Sequence, residues 1–323
     1  MIIPDPLIIT IALVLDLIMG DPRWLPHPVT LIGRLINLLD HVLRRPWLDL
    51  RLAGILLLLI TAGSAAGATW LILKALYCLQ PLAGLIGAIF LSSTCLAIRS
   101  LHIESACVAR SLSSGDLPAA RQYLSRIVGR DTDRLEEHEI WRALVETVAE
   151  NTSDGIIAPL FWLSLGGPVA AMFYKAVSTL DSMVGYKNER FLCFGWASAR
   201  MDDLLNFIPA RLTALLIIAS AAMTGHSASG ALRVTLRDRL NHPSPNSGHP
   251  EAAAAGALGI RLGGEASYSG ISSWKQHIGN AVVPIDEQSY RGMIKLMYIS
   301  TILMATVCIS AAFALRGICV PFL

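Results

Sequence analysis

The sequence contains little charge for its length. Only 15% of its 323 residues are Asp, Glu, Lys or Arg, whereas 54% are hydrophobic, and the mean hydropathy is +0.54. This composition is too apolar for an ordinary soluble domain and predicts an integral membrane protein. The net charge of +2 is small, so we expect no nucleic-acid partner.

Several familiar signatures are also missing. The six cysteines show no CxxC spacing, and several lie in apolar runs, so we expect small core residues rather than metal ligands or disulfides. The chain has no GxxxxGK[ST], GxGxxG, HExxH or GxSxG motif, which removes support for a P-loop site or a serine hydrolase. The first stretch, MIIPDPL, carries no positive charge, so we do not expect a cleaved signal peptide.

Long hydrophobic segments dominate the rest of the sequence. They span residues 5–20, 52–79, 82–101, 155–173, 204–225 and 292–316. We predict an all-α integral membrane protein with four to six apolar helical segments, some broken or re-entrant. We treat 1–323 as a single domain, whose helical polar cytoplasmic loops are 21–51, 102–154, 174–203 and 226–291.

The number of spans stays open at this point. If all six segments cross the membrane, three polar loops share one side and hold most of the Lys and Arg residues, which makes that side cytoplasmic. Loop 174–203 would then face outward despite its cations. If 155–173 and 204–225 are instead broken or re-entrant, as their Pro and Gly content permits, every polar loop is cytoplasmic. We favour the second arrangement.

Local patterns predict how some elements begin, end and pack. Segments 52–79 and 82–101 meet at Gln80-Pro81, which predicts an antiparallel helical hairpin. Small residues along it would let the helices approach closely. They are Gly63, Ala66, Gly67, Gly84 and Gly87.

The polar regions carry their own turn signals. Asp116 is placed to cap a helix that begins near Leu117, and Gly129 is placed to end it. Gly263 and Gly264, which precede Tyr268 and Gly270, predict a loop.

Three carboxylates recur in the stretch WRALVETVAENTSDG, residues 141–155. In a helix, Glu146, Glu150 and Asp154 lie at i, i+4 and i+8 and so share one face. Like charges at that spacing repel one another unless Mg²⁺, Lys or Arg neutralises them. A solvated acidic face is the simpler interpretation, but an apolar segment begins at Ile156, and polar groups at such a boundary favour a functional site.

A second polar cluster runs from Tyr174 to Arg211. Its cations can hold phosphates or carboxylates, and its carboxylates suit Mg²⁺, which prefers oxygen ligands. The cations are Lys175, Lys187, Arg200 and Arg211, and the carboxylates are Asp181, Asp202 and Asp203. Each residue alone is an ordinary surface charge, and it is their density beside embedded segments that indicates a site.

A third cluster is NHPSPNSGHPEAAAAGALGIRLGG, residues 241–264. We expect Glu251 to open an Ala-rich helix after Gly248-His249-Pro250. The free N–H groups of such a helix N-terminus can bind an anion. The alternative is a connector followed by a packing helix.

Four ordered stretches together carry a family resemblance. They are LDLIMGDPRWLPHPVTLIGRLI, ETVAENTSDGIIAPLFW, YKAVSTLDSMVGYKNERFLCFGWASARMDDLLNFIPAR and PNSGHPEAAAAGALGIRLGG. The sequence, from about residue 12 to 290, resembles the adenosylcobinamide-phosphate synthase family of cobalamin biosynthesis, CobD/CbiB. Four motifs in one order are far more specific than any single motif.

The resemblance implies a multi-pass enzyme of the cell inner membrane whose active site faces the cytoplasm. Such an enzyme joins adenosylcobyric acid to (R)-1-amino-2-propanol or its O-phosphate through an amide bond. ATP and Mg²⁺ are the implied co-reactants, and the corrinoid is a substrate rather than a bound cofactor. The resemblance is also compatible with association with later corrinoid enzymes.

The resemblance also implies roles for the residues above. Glu146, Glu150 and Asp154 become the first candidates for Mg²⁺ or for the general base, and Asp181, Asp202 and Asp203 the second candidates for metal ligands. Lys175, Lys187, Arg200 and Arg211 would hold phosphates. Asn151, Asn188 and Asn246 would bond to the amides of the corrin periphery, and His27 and Glu251 are further binding candidates.

Two other classes of protein remain to be separated from a ligase. Broken apolar segments with embedded charges also occur in transporters and channels. A membrane signalling protein could share the fold without the activity. The long polar loops and the many paired carboxylates and cations favour the enzyme.

Overall fold

The computed structural model describes residues 5–21, 27–186, 188–268 and 270–319, which are mostly helical. The helices are α1 (Pro6–Met19), α2 (Pro28–Leu43), α3 (Leu50–Leu79), α4 (Pro81–Ser93), α5 (Ile98–Ser113), α6 (Leu117–Leu124), α7 (Glu137–Thr152), α8 (Ala158–Val184), α9 (Trp196–Leu205), α10 (Phe207–Thr224), α11 (Ala228–Asp238), α12 (Gly248–Leu258) and α13 (Glu287–Cys319). A π-helical segment, Ser153–Ile157, follows α7. Strands β1 (Arg261–Tyr268) and β2 (Ile271–Gly279) form one antiparallel hairpin. The all-α prediction is confirmed, with this hairpin as an addition.

Five helical runs in the described ranges are long and apolar enough to cross a membrane. They are Leu50–Leu79, Pro81–Ser113, Glu137–Val184, Phe207–Thr224 and Glu287–Ala314, and the shorter Pro6–Met19 is also apolar. Leucines on α3 face outward: Leu59 is 61% exposed and Leu71 is 59% exposed. Apolar surface of this kind suits contact with lipid. The protein is therefore a multi-pass membrane protein within the predicted range of four to six segments.

The chain divides into two compact units by its internal contacts. The first unit comprises Met1–Ala97, Ala158–Asn206 and Ala305–Leu323, and the second comprises Ile98–Ile157 and Phe207–Met304. Each unit therefore combines segments that are distant in sequence.

In the first unit, α3 and α4 form the predicted hairpin. Asp49 caps α3, because its Oδ1 accepts the N–H groups of Arg51 at 2.9 Å and Leu52 at 3.0 Å. Gln80 ends α3, and Pro81 starts α4, where the missing N–H of proline leaves no helical bond unmade. The cap, the stop and the proline start are all local sequence signals, which is why the hairpin could be predicted.

Small residues allow close packing at only part of this hairpin. A Cβ on Gly84 would lie 2.3 Å from the Tyr77 ring, and one on Gly87 would lie 2.5 Å from a leucine methyl group. A Cβ on Gly63 or Gly67 would meet no atom within 4 Å. The predicted close approach is confirmed at Gly84 and Gly87 but was wrong for Gly63 and Gly67, which face open space in the described structure.

The apolar segment 155–173 is interrupted, as its glycines and prolines predicted. Gly166 and Gly167 leave helical geometry inside α8, and Gly167 has φ 64°, a conformation that glycine adopts without a steric penalty. The apolar segment 204–225 is interrupted near its start, because α9 ends at Leu205 with Asn206 as its C-cap, and α10 is then continuous from Phe207 to Thr224. Which segments cross the membrane stays a prediction.

In the second unit, α12 is the innermost helix, since all of its residues from 248 to 257 are buried. It begins at Gly248, three residues before the predicted start at Glu251. A Cβ on Gly256 would lie 2.4 Å from the carbonyl oxygen of Gly230 in α11. The backbones of α11 and α12 therefore touch, which only glycine permits at this crossing.

Two predicted boundaries in the second unit need correction. Asp116 does cap α6, since its Oδ1 accepts the N–H of Ala119 at 3.0 Å, but α6 ends at Leu124 rather than at Gly129.

The loop predicted at Gly263 and Gly264 is wrong, because both residues belong to β1. They have φ of 81° and 93° at a register shift in the hairpin. A glycine pair in such a bulge has the same sequence signature as a loop.

Candidate functional site

Six ionisable side chains converge in the second unit, and we call them the acid–base cluster. Two come from α7 and lie one helical turn apart. The others come from the chain before α7, the chain before α12, the first turn of α12, and β2. The members are Arg130, Glu146, Glu150, His242, Glu251 and Lys275.

Glu146 is the most constrained member. Its side chain is 4% exposed, and its Oε2 accepts a hydrogen bond from Arg130 Nη2 at 2.5 Å. Its Oε1 accepts the backbone N–H of Gly263 at 2.8 Å. Both carboxylate oxygens therefore have a donor, as a buried charge requires.

Glu150 lies one turn further along α7 and is half-buried. Its Oε1 accepts a hydrogen bond from the hydroxyl of Ser247 at 2.8 Å. Ser247 immediately precedes α12, so this bond ties α7 to the start of the most buried helix. Glu150 is thus oriented by a neutral donor, whereas Glu146 is held by a cation.

Glu251, His242 and Lys275 form the other side of the cluster. Glu251 Oε1 lies 3.6 Å from His242 Nε2, and Lys275 Nζ lies 3.4 Å from the same ring nitrogen. Glu251 is 3% exposed. The imidazole therefore stands between a buried carboxyl group and an ammonium group.

The protonation states follow from burial and from the neighbouring charges. Burial, together with the charges of Glu146 and Glu150, raises the pKa of Glu251 well above its usual value. Burial lowers the pKa of His242 below its usual value. These shifts favour the carboxylic acid form of Glu251 and the neutral imidazole form of His242. The charges of Glu146 and Glu150 then face those of Arg130 and Lys275, so the cluster is close to electrical balance.

Two other predicted residues meet in the second unit. Arg211 Nη1 donates to Asn246 Oδ1 at 3.4 Å and to the Phe207 carbonyl oxygen at 2.6 Å. Its guanidinium lies 3.6 Å from the centre of the Phe207 ring. Burial and the charges of Arg211 and Arg239 lower the pKa of His249 to about 4. Arg211 and Asn246 thus form a second, more cationic group of polar side chains.

Asn151 and Asp154 complete the predicted residues of α7 and the segment after it. Asn151 Nδ2 donates to the Thr147 carbonyl oxygen at 2.9 Å, one turn back. Asp154 lies in the π-helical segment, past the end of α7 at Thr152. The α-helical spacing that placed three carboxylates on one face therefore holds for Glu146 and Glu150 and ends before Asp154.

The remaining predicted residues belong to the first unit. Lys175 and Asp181 lie in α8, Arg200, Asp202 and Asp203 lie in α9, and Asn188 lies between these helices, while Lys187 is outside the described residues. Two of these side chains make local hydrogen bonds. Asn188 Oδ1 accepts the N–H of Phe191 at 3.0 Å, and Asp202 Oδ2 accepts a bond from Asn206 at 2.9 Å.

His27 has a structural position in the first unit. Its Nδ1 accepts the N–H of Val29 at 3.3 Å, so it caps α2. Its Nε2 lies 3.0 Å from Asp21 Oδ1. These contacts account for a histidine between two prolines, and its predicted role in substrate binding stays a prediction.

The carboxylates offer oxygen ligands of the kind that Mg²⁺ prefers. In the described ranges, no group of three or more His, Cys, Asp or Glu side chains is arranged to hold a metal ion. Mg²⁺ does not need such a cage, because it commonly takes one or two carboxylates and completes its shell with water and substrate phosphates. The adjacent, half-buried Asp202 and Asp203, and Asp154 separately, offer oxygen donors of that kind.

Three members of the acid–base cluster were not predicted as site residues. Arg130 follows the glycine that was expected to end a helix, His242 lies in a Pro-rich connector, and Lys275 lies on a strand that was not predicted. Only the charge of Arg130 beside a polar helix gave a usable signal. The other two positions depend on the hairpin and on the turn before α12, which are tertiary features.

Comparisons with known proteins agree with the resemblance. The family model of the CobD/Cbib protein matches residues 9–297. "Cobalamin biosynthesis protein CobD" of Pelobacter propionicus is 63% identical over 318 residues, which cover 98% of each chain. The protein of the same name in Geobacter metallireducens is 57% identical, covering 90% of this chain and 92% of the relative.

"Cobalamin biosynthesis protein CbiB" of Salmonella typhimurium is 46% identical over 95% of this chain and 98% of the relative. No solved structure gives a significant match. Because the family model spans most of the sequence and the relatives match over nearly their whole length, this chain belongs to the CobD/CbiB family.

Proposed function

We propose that the protein is an ATP-dependent amide ligase that joins adenosylcobyric acid to (R)-1-amino-2-propanol or its O-phosphate, giving adenosylcobinamide or its phosphate. Its relatives are named for cobalamin biosynthesis, and the chain has a role in that process. The observation that carries the finer assignment is the acid–base cluster, which puts carboxylates, an imidazole and two cations within one buried region.

The chemistry needs two steps. A propionate oxygen of the corrinoid attacks the γ-phosphorus of ATP, an acyl phosphate forms, and ADP leaves. The amine nitrogen then attacks the acyl carbon, the C–N bond forms, and the C–O bond to phosphate breaks. Inorganic phosphate leaves, and the amine gives one proton to a base. The protein must orient both partners and exclude water from the acyl phosphate.

Glu150 is the member of the cluster best suited to receive that proton. It is half-buried, and its Oε1 accepts a hydrogen bond from the neutral hydroxyl of Ser247, whereas Glu146 is engaged by Arg130 and Gly263. We assign Glu146 to positioning, because it fixes Arg130 and the hairpin. Asp154 stays a candidate for the base or for the metal.

The other members supply charge and protons. Lys275 and Arg130 stabilise the negative charge that develops on the acyl carbon's oxygen and on the leaving phosphate. Glu251, held as an acid, can donate a proton, and the neutral His242 can pass one on. Burial of the cluster makes these interactions stronger than they would be in water.

The remaining assignments follow the sequence. Lys175, Lys187, Arg200 and Arg211 hold phosphates, and Asn151, Asn188 and Asn246 bond to corrin amides. Asp154, or Asp181, Asp202 and Asp203, would hold a Mg²⁺ ion, which would supply positive charge to neutralise the phosphates of ATP. We place the protein in the cell inner membrane, with the acid–base cluster on the cytoplasmic side, where ATP is available.

The direct test is amide formation. Membranes holding the protein are given adenosylcobyric acid, aminopropanol phosphate, ATP and Mg²⁺, and the product is followed by mass. We expect an ATP-dependent amide. We expect Glu150→Gln to lower its rate about 100-fold or more, the usual share of a general base. Glu137→Gln, at an exposed position on the same helix, should leave the rate unchanged.

Two outcomes would count against the assignment. Near-normal turnover in Glu150→Gln would remove Glu150 as the base, and the same test applied to Asp154→Asn would decide the role of Asp154. If folded wild-type protein forms no amide with all four components present, the ligase is excluded and the transporter and signalling alternatives gain support.

A further inference from the structure

A cavity of about 320 Å³ lies beside the β-hairpin in the second unit. One side is lined by basic side chains, and the other by the apolar turn 281–285. The basic residues are His138, Arg142, Arg261 and His277, and the described residues that line the cavity include no Asp or Glu. The cavity therefore offers positive charge and hydrogen-bond donors next to an apolar wall.

Two of the basic side chains, those of Arg142 and His277, converge at Gly264 of β1. A Cβ on Gly264 would lie 2.9 Å from Arg142 Nη1 and 3.3 Å from His277 Cε1, so the absence of a side chain at Gly264 lets both groups reach the same place. Arg142 Nη2 donates to the Glu265 carbonyl oxygen at 2.7 Å, which fixes the guanidinium. The carboxylate of Glu139 is 3.9 Å from that nitrogen. Arg142 is thus held by a short bond to a neutral backbone group and by a longer ion pair with Glu139.

The cavity is also connected to the acid–base cluster. Gly263 lines the cavity, and its N–H donates to Glu146 Oε1. A single strand residue therefore separates the cavity from Glu146. An anion in the cavity would therefore lie one strand residue away from Glu146, the residue that positions Arg130 and the hairpin.

We propose that this cavity binds a phosphoryl group, with Arg142 and Arg261 as the cationic contacts and His277 as a further donor. The identity of the ligand rests on the proposed function, which brings two phosphoryl sources: the phosphorylated amine and the nucleotide. Arginine pairs well with phosphate oxygens through its planar array of donors. A cavity near 300 Å³ is at the small end of ligand sites, so it suits a phosphate with a few attached atoms and excludes a corrinoid.

Binding without turnover tests the cavity separately from the ligase activity. Purified full-length protein in detergent is titrated calorimetrically with aminopropanol O-phosphate and, separately, with ADP. We expect Arg261→Gln and Arg142→Gln each to weaken binding of one of these probes about tenfold or more, as loss of a charge-assisted hydrogen bond requires. Arg233→Gln, at an exposed arginine of α11 outside the lining, should bind as the wild type does.

The probe whose binding is weakened in the arginine variants identifies the source of the phosphoryl group. Weakened binding of the amine phosphate alone assigns the cavity to the amine, and weakened binding of ADP alone assigns it to the nucleotide. Since Arg261 is exposed, its variant should fold even if the Arg142 variant does not. Equal binding by wild type and Arg261→Gln, or no binding of either probe to the wild type, overturns the proposal.

The two proposals also fail in different ways. Amide formation with unchanged KM values for both phosphorylated substrates in the arginine variants would keep the ligase and reject the cavity. Arginine-dependent binding without any amide product would keep the cavity as a phosphoryl site and reject the ligase.

Discussion

The ion pair between Arg130 and Glu146 offers the sharpest test of the buried cluster. Arg130→Met removes the cation and keeps much of the apolar stem, so Glu146 keeps only the N–H of Gly263 as a donor. Glu146→Gln removes the charge and retains an oxygen that can accept from Gly263. The double variant removes both charges at once, which completes a double-mutant cycle.

The expected cost depends on how deeply the pair is buried. The side chains are 10% and 4% exposed, so solvent does not screen either charge when its partner is removed. Each single substitution should lower the free energy of unfolding by about 3–5 kcal/mol, because it leaves an unpaired buried charge. The double variant should recover much of that loss, giving a coupling energy of about 2 kcal/mol or more.

Unfolding of the purified protein in mixed detergent micelles would measure these differences. The exposed pair Glu287–Arg291, whose side chains are 40% and 73% exposed, provides the control. Arg291→Met should cost about 1 kcal/mol or less. Additive costs in the Arg130–Glu146 cycle, or single costs equal to that of the control, would refute the buried, mutually dependent pair.

Three further predictions concern other parts of the chain. The pKa of Glu251 is raised in the folded state, so the folded protein binds that proton more tightly than the unfolded chain, and the free energy of unfolding should fall as pH rises from about 4.5. The Glu251→Gln variant should lack this fall. Parallel pH profiles of the unfolding free energy in the wild type and the variant would contradict the buried acid. On α3, Gly54→Ala would put a Cβ 2.0 Å from the Phe194 carbonyl oxygen and should destabilise by about 1–3 kcal/mol. Gly67→Ala, which meets nothing within 4 Å, should be neutral or stabilise by up to about 1 kcal/mol, and equal thermal shifts in the two variants would argue against this packing. Finally, Glu189→Cys in a cysteine-free background, at an exposed site, should resist an impermeant reagent in intact cells if loop 174–203 is cytoplasmic, and prompt labelling would support the six-span arrangement.

Local signals determined what could be predicted from the sequence. The Gln80-Pro81 junction and the Asp116 cap depend on neighbouring residues, and both are present in the structure. The interruption at Gly166 and Gly167 is likewise local. The hairpin was missed because Gly263 and Gly264 carry the signature of a loop, and only pairing with β2 makes them a strand.

The candidate site shows the same division between local and tertiary information. Helical spacing placed Glu146 and Glu150 on one face of α7, and both belong to the acid–base cluster. Glu251 was a candidate from its motif, and it proves to be buried beside His242. The cationic side could not be inferred, because Lys275 reaches the cluster only through the hairpin.

The carboxylates of Glu146 and Glu150 on α7 differ in the groups that balance or bind them. Arg130 balances Glu146, so no metal ion is needed to explain why that carboxylate is buried. Ser247 gives Glu150 a hydrogen bond but no charge. A Mg²⁺ ion at Glu146 would have to displace Arg130, whereas one at Glu150 would displace only a hydroxyl. Of the three predicted carboxylates, Glu150 and Asp154 therefore stay our proposed candidates for the metal or the proton, whereas Glu146 contacts Arg130 and the hairpin residue Gly263.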